Sequence, residues 1–115
     1  MGIQNISEKV IFVDLPSDTH QMEKELNTLN ETVINNSNCD VVIDFFGVEL
    51  ITSANISNLL ILRKLLEEHE RRLILCSVAV MTKYIFTVSG LDSTFEFADD
   101  RSAALSALQC TEQPS

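Results

Sequence analysis

Thr52 and Ser53 are the residues of this chain whose type and position best suit chemistry. They lie in Asp44-Phe-Phe-Gly-Val-Glu-Leu-Ile-Thr-Ser-Ala-Asn-Ile-Ser-Asn-Leu-Leu60, where an apolar strand pattern passes through a short loop into an apolar helical pattern. The first N–H groups of a helix lack intrahelical partners and the helix dipole is positive there, so a hydroxyl can cap the helix or carry a phosphate. A phosphate would add about −1.5 to −2 charge, welcome to the helix end and hostile to an apolar or acidic surface docked on it. Pattern alone places an N-cap only to within a residue or two, so Ser53 and Thr52 can exchange the roles of cap and modified hydroxyl.

The other groups with chemical potential read more plainly. Asp44, at a strand end beside Phe45 and Phe46, must be solvated or hydrogen-bonded, and suits a role in orienting the loop through backbone N–H groups. Glu49 reads as a loop charge or part of a partner's footprint. His20 and His69 fall near a helix start and a helix end, with no second metal ligand at useful spacing. Cys39, Cys76 and Cys110 are odd in number and unsuitably spaced for a disulfide framework or a zinc site, which fits a reducing compartment. No Gly-x-Ser-x-Gly, Gly-rich phosphate loop or Cys/His pair is present, so neither catalysis, nor a cofactor, nor a metal is expected.

Composition narrows the setting. A chain of 115 residues supports one domain around one core. With 17 acidic against 8 basic residues the net charge is −9, a field that repels nucleic acid and anionic lipid. No apolar run approaches the roughly 20 residues of a membrane span, and the start Met-Gly-Ile-Gln-Asn-Ile6 is no secretory signal, so the expected location is cytoplasmic.

The elements that must position Thr52 and Ser53 alternate along the chain. Val10-Ile-Phe-Val13 reads as a strand, with room before it for at most one short extra strand. Ser17 or Asp18 can cap a following helix whose Met22, Leu26, Leu29 and Val33 form one buried stripe, ended by the polar turn Asn35-Asn-Ser-Asn38. Val41 to Phe46 and Leu73 to Val80 are apolar without alternation, as strands buried on both faces are. Between them Ala54 to about Glu70 is helical, its end Glu67-Glu-His-Glu-Arg-Arg72 reading as solvated. A short helix from Thr82 to Ser89 should stop at Gly90, with Ile85 and Phe86 either core or an exposed patch. A strand at Phe95-Glu-Phe97 and a helix capped by Asp99 or Asp100, with Ala103, Ala104, Leu105 and Leu108 inward, complete the series. This pattern predicts an α/β layer with a mainly parallel sheet, in which sites lie beyond the carboxyl ends of strands, where the Gly47 to Thr52 loop falls.

These residues resemble the STAS domain family, named for sulphate transporters and anti-sigma factor antagonists, over most of the chain. The family's motif is a strand ending in Asp, a loop, then Asp-Ser-Ser-Gly-Leu opening a helix; the matching residues are Asp44, the Phe45 to Ile51 loop and Thr52-Ser-Ala-Asn-Ile56. The short helix ending Ser-Gly-Leu91 and the closing Phe-Glu-Phe-Ala-Asp-Asp-Arg-Ser-Ala-Ala-Leu105 are similar as well. Thr52 stands for the family's Asp, Ala54 for its second Ser and Asn55 for its Gly.

The resemblance implies a single STAS-like α/β domain over residues 1–109, with a central sheet of four to five strands and four helices, and a disordered tail at 110–115. It further implies a bacterial, non-catalytic partner-switching regulator like the anti-sigma factor antagonists, controlled by phosphorylation of Ser53. Gly47, Glu49, Thr52, Ser53, Asn55, Ile56 and Asn58 would meet an anti-sigma factor or serine kinase-like protein. The alternative is an unphosphorylated scaffold or subunit of a signalling or transporter complex, with a transporter ATPase as partner.

Overall fold

Val41, Val42 and Ile43 are apolar in succession because their strand is covered on both faces, and the rest of the architecture follows from covering it. The computed structural model describes residues 2–7, 10–35 and 38–112. In chain order the elements are β1 (Gly2–Ser7), β2 (Val10–Asp14), α1 (Thr19–Asn35), β3 (Asp40–Asp44), α2 (Ser53–Glu68), β4 (Leu73–Cys76), α3 (Val80–Val88), β5 (Glu96–Ala98) and α4 (Arg101–Glu112). The strands form one sheet in the order β1-β2-β3-β4-β5; β2 to β5 are parallel, and β1 joins β2 antiparallel as the short extra strand.

Strand alternation divides the core in two. Ile11, Val13, Val41, Ile43, Leu73 and Leu75 face a layer supplied by α1, α2 and α3, whereas Val10, Phe12, Val42, Ile74 and Cys76 face Ala104 and Leu108 of α4. Met22, Leu26, Leu29 and Val33 are the buried residues of α1, as their spacing predicts, and Asp18 Oδ1 accepts from the His20 N–H at 2.8 Å to cap that helix. Leu59, Leu62 and Leu66 bury α2 against the same layer. Full burial of such a side chain stabilises the fold by about 1.5–3 kcal/mol.

On α3 the choice left open by the sequence resolves inward for Phe86, which is fully buried and meets Phe95 and Phe97 edge-on at 5.5 and 5.6 Å, while Ile85 is half-buried. Gly90 takes φ +76° just past the helix end, where a side chain would be strained. Asp100 caps α4 through the Ala103 N–H at 2.9 Å. That helix continues to Glu112, past the end expected at residue 109; residues 113–115, and residues 36–37 of the expected polar turn, lie outside the described residues.

Two expectations need correction: the strand read over Leu73 to Val80 ends at Cys76, with α3 beginning at Val80 rather than Thr82, and the solvated end read at Arg71 and Arg72 is engaged. Arg71 and Arg72 are not a free solvated end: Arg71 pairs with Asp40 at 3.2 Å, and Arg72 pairs with Glu96, its Nε donating to Oε1 at 2.9 Å. They tie the α2–β4 turn to the starts of β3 and β5, at the edge opposite Ser53. Cys39 and Cys76 are buried free thiols. Among the described residues no helix is long and apolar enough to cross a membrane, and no group of three His, Cys, Asp or Glu could hold a metal.

Candidate functional site

The site is built outward from the end of β3. Asp44 is buried, and its Oδ1 accepts the Phe46 N–H at 2.9 Å, the loop-orienting role its position predicts. Its Oδ2 takes Arg101 Nε at 3.2 Å, and Arg101 Nη2 reaches Asp14 Oδ1 at 2.5 Å. The guanidinium stacks 3.9 Å over the Phe12 ring. Burial alone would lower the Arg101 pKa, but the hydrogen bonds it donates to Asp44 and Asp14 outweigh it and hold the group above its ordinary value. Both carboxylates are thus committed to a permanent cation, and neither is a free base.

Beyond Asp44 the chain makes a tight turn, closed by Val48 N–H donating to Phe45 O at 2.9 Å. Gly47 has φ +85° in this turn, a conformation natural to glycine. Val48 and Ile51 are buried and pin the loop to the core, so Glu49 and Leu50 point outward. Phe46 and Leu50 are 83% and 67% exposed, an unusual outlay of apolar surface on a loop. Phe46 and Gly47 also wall a cleft of about 320 Å³ shared with Pro16 and Arg101.

The two hydroxyls take different roles. Thr52 is the N-cap of α2, extended at φ −92°, ψ 162°, with Oγ1 accepting the Asn55 N–H at 3.2 Å. Ser53 is the first helical residue; it is exposed, and its hydroxyl makes no hydrogen bond among the described residues. With the cap supplied by its neighbour, Ser53 sits unencumbered in the positive field of the helix end. Among the described residues no His, Asp, Glu or Lys hydrogen-bonds to it, so its arrangement suits receiving a group rather than attacking one.

The remaining site residues divide. Gly47, Glu49, Thr52 and Ser53 are exposed together, and Ile56 and Asn58 are half-buried, the carbonyl of Asn58 receiving Asn30 Nδ2 at 3.5 Å. Asn55 is a correction: at 1% exposure it cannot meet a partner. It shares the inward phase of Leu59, Leu62 and Leu66, its Nδ2 donating to Thr19 O at 3.4 Å and lying 3.2 Å from Met22 Sδ, while Oδ1 has no partner. That phase is visible in the sequence, whereas the Asp14–Arg101–Asp44 cluster is not.

A family model described as the STAS domain matches residues 2–104 of this chain. No curated protein matches it. Among solved structures, a STAS domain protein from Planctomyces limnophilus, described as an anti-sigma-factor antagonist, is similar with TM-score 0.81 and 22% identity, covering 95% of this chain and 99% of that one. The anti-sigma factor antagonist SpoIIAA in its unphosphorylated form gives TM-score 0.79 at 16% identity, with coverage of 94% and 95%. The phosphorylated form of the Bacillus cell fate determinant SpoIIAA gives 0.70 at 16%, covering 92% and 96%. At these identities the likeness establishes the fold.

Proposed function

This chain belongs to the STAS domain family, and from that premise we propose that it is a partner-switching regulator of the anti-sigma factor antagonist kind, controlled by phosphorylation of Ser53. The observation that carries the reading is the division of labour at the start of α2: Thr52 caps the helix, and the exposed Ser53 hydroxyl is left without a partner among the described residues, at the end of a loop that also exposes Phe46 and Leu50. Unphosphorylated, this apolar rim docks on an anti-sigma factor or serine kinase-like protein. A phosphate on Ser53 is stabilised by the helix end, by about 0.3–1 kcal/mol. The same dianion cannot be buried in an apolar contact without losing its hydration, so it expels the partner. In this reading the domain performs no chemistry of its own and works in the cytoplasm of a bacterium.

The sequence departures are compatible with the switch. Thr and Asp are both effective N-caps, so Thr52 fills the place of the family's Asp in this respect. Asn55, in place of the family's Gly, fills the space between α2 and α1 against Thr19 O and Met22 Sδ. The same departures remove a carboxylate beside Ser53 that a kinase could read, which favours the second reading, a constitutive subunit of a signalling or transporter complex.

Phosphopeptide mapping of the protein purified from its native cell separates the two. Phosphate on Ser53, absent from the Ser53→Ala variant, supports the switch. No phosphate on Ser53 or Thr52 while a complex persists supports the constitutive subunit.

A further inference from the structure

The acidity of this chain is not spread evenly. Residues 50–91 carry five basic and three acidic side chains; the rest of the chain carries three and fourteen. The three acids, Glu67, Glu68 and Glu70, cluster at the far end of α2, so Leu50 to Leu66 and Arg71 to Leu91 contain none. Those segments form most of α2 and all of α3, which lie on the same side of the sheet; Arg63 Nε of α2 donates at 2.8 Å to Thr94 O, in the loop that follows α3. A molecule of net charge −9 therefore has one face that is neutral to positive.

That face is also where exposed apolar side chains gather. On α3, Val80, Met81, Tyr84 and Val88 are 83%, 71%, 61% and 62% exposed, and their spacing forms one stripe along the helix. On α2, Ser53, Ser57, Ile61 and Lys64 form the parallel exposed row. Phe46 and Leu50 extend the patch at the strand-end edge, because the β3–α2 and β4–α3 connections leave neighbouring parallel strands. Charge depletion around exposed Tyr and Met, with Phe at one edge, is the composition of an interface core.

Resting on the reading of Ser53 as a switch, we propose that the outer faces of α2 and α3 form one docking surface, and that its occupant is a protein with an apolar centre and an acidic rim. Lys64 and Lys83 supply the complementary charge. A second copy of this chain would set this face against an identical, equally basic one, and is the poorer occupant. The charge distribution also bears on why one phosphate is enough: Ser53 stands where the carboxylate-free stretch of α2 meets the exposed Glu49 of the loop, so a dianion there extends negative charge onto the docking face, against an acidic rim.

The test places a benzophenone photo-crosslinker at position 84, and separately at position 50, of the full chain in its native cell. The captured protein is identified by mass spectrometry, purified and titrated against the chain by calorimetry. The proposal expects one protein from both positions, with Tyr84→Asp and Lys83→Glu each weakening it about tenfold. The Lys83→Glu loss should shrink as salt is raised, and Ile34→Asp on α1 should stay within about twofold. Melting curves confirm that the variants fold, their positions being solvent-facing. Capture at 50 but not at 84, self-capture, or tighter binding by Lys83→Glu overturns the proposal and leaves the Ser53 switch standing. Capture at neither position overturns both. A partner captured from both positions that ignores Ser53→Asp keeps the surface and overturns the switch.

Discussion

Replacing Thr52 and Ser53 one at a time by alanine should separate two hydroxyls that the sequence cannot tell apart. Thr52→Ala removes the Oγ1 acceptor 3.2 Å from the Asn55 N–H and leaves that donor at the start of α2 without a side-chain partner. Loss of an N-cap costs about 1 kcal/mol, within a range of roughly 0.5–2. An unfolding entropy near 2.1 cal/mol/K per residue gives about 240 cal/mol/K for 115 residues, so 1 kcal/mol lowers the melting temperature by about 4 °C. Ser53→Ala removes no hydrogen bond and replaces an exposed residue by a better helix former, so its change should stay within about 0.5 kcal/mol, or about 2 °C. Paired calorimetric scans and urea titrations of the two variants supply the comparison. Equal losses, or a larger loss from Ser53→Ala, would mean that Ser53 is the cap, and the argument that its hydroxyl is free would fail.

Three further outcomes follow from the same geometry. Arg101→Gln strips Asp44 and Asp14 of their cation; it should cost about 1–2 kcal/mol and speed amide exchange at Phe46, with partial recovery when Asp44→Asn is added, and an unchanged Phe46 amide would sink the coupling between α4 and the loop. Burial, and after it the nearby Asp44, pushes the Cys76 thiol up to about 11 from 9.0. Its stabilising contribution is therefore complete below about pH 9 and is lost as pH rises toward 11, so stability should fall by about 2–3 kcal/mol more in the native protein than in Cys76→Ala across that window. Asn55→Asp places a carboxylate beside Thr19 O and Met22 Sδ and should cost at least about 2 kcal/mol at pH 7, less at pH 4, as urea titrations at both values would reveal.

The strands and the faces of the helices were legible because they depend on local periodicity. Met22, Leu26, Leu29 and Val33 announce their stripe, and Val41 to Ile43 announce a strand covered twice. Asn55 was misplaced for an instructive reason: read within the loop-to-helix motif it looks like surface, yet its phase with Leu59, Leu62 and Leu66 turns it inward. The roles of Thr52 and Ser53 depend on where the helix begins to within one residue, which hydrogen-bond geometry decides and composition does not.

Arg101 was illegible in a stronger sense. Its partners Asp44 and Asp14 lie 57 and 87 residues away in the chain, and only the sheet and α4 bring them together. The exposed stripe of α3 is likewise a tertiary fact. Val80 belongs to a run that reads as strand, and only the fold sets it with Met81, Tyr84 and Val88 on the outer side of α3 while Phe86 turns in to meet Phe95 and Phe97.

The proposed switch is tested most directly by the affinity of the chain for its partner with and without one phosphate on Ser53. The measurement is a calorimetric titration of the purified partner with unmodified chain and with chain phosphorylated stoichiometrically at Ser53, at physiological ionic strength. The account predicts at least a hundredfold weaker binding by the phosphorylated form, about 2.7 kcal/mol, while the melting temperatures of the two forms stay close because the helix end accommodates the charge. Affinities within about twofold of each other would contradict it.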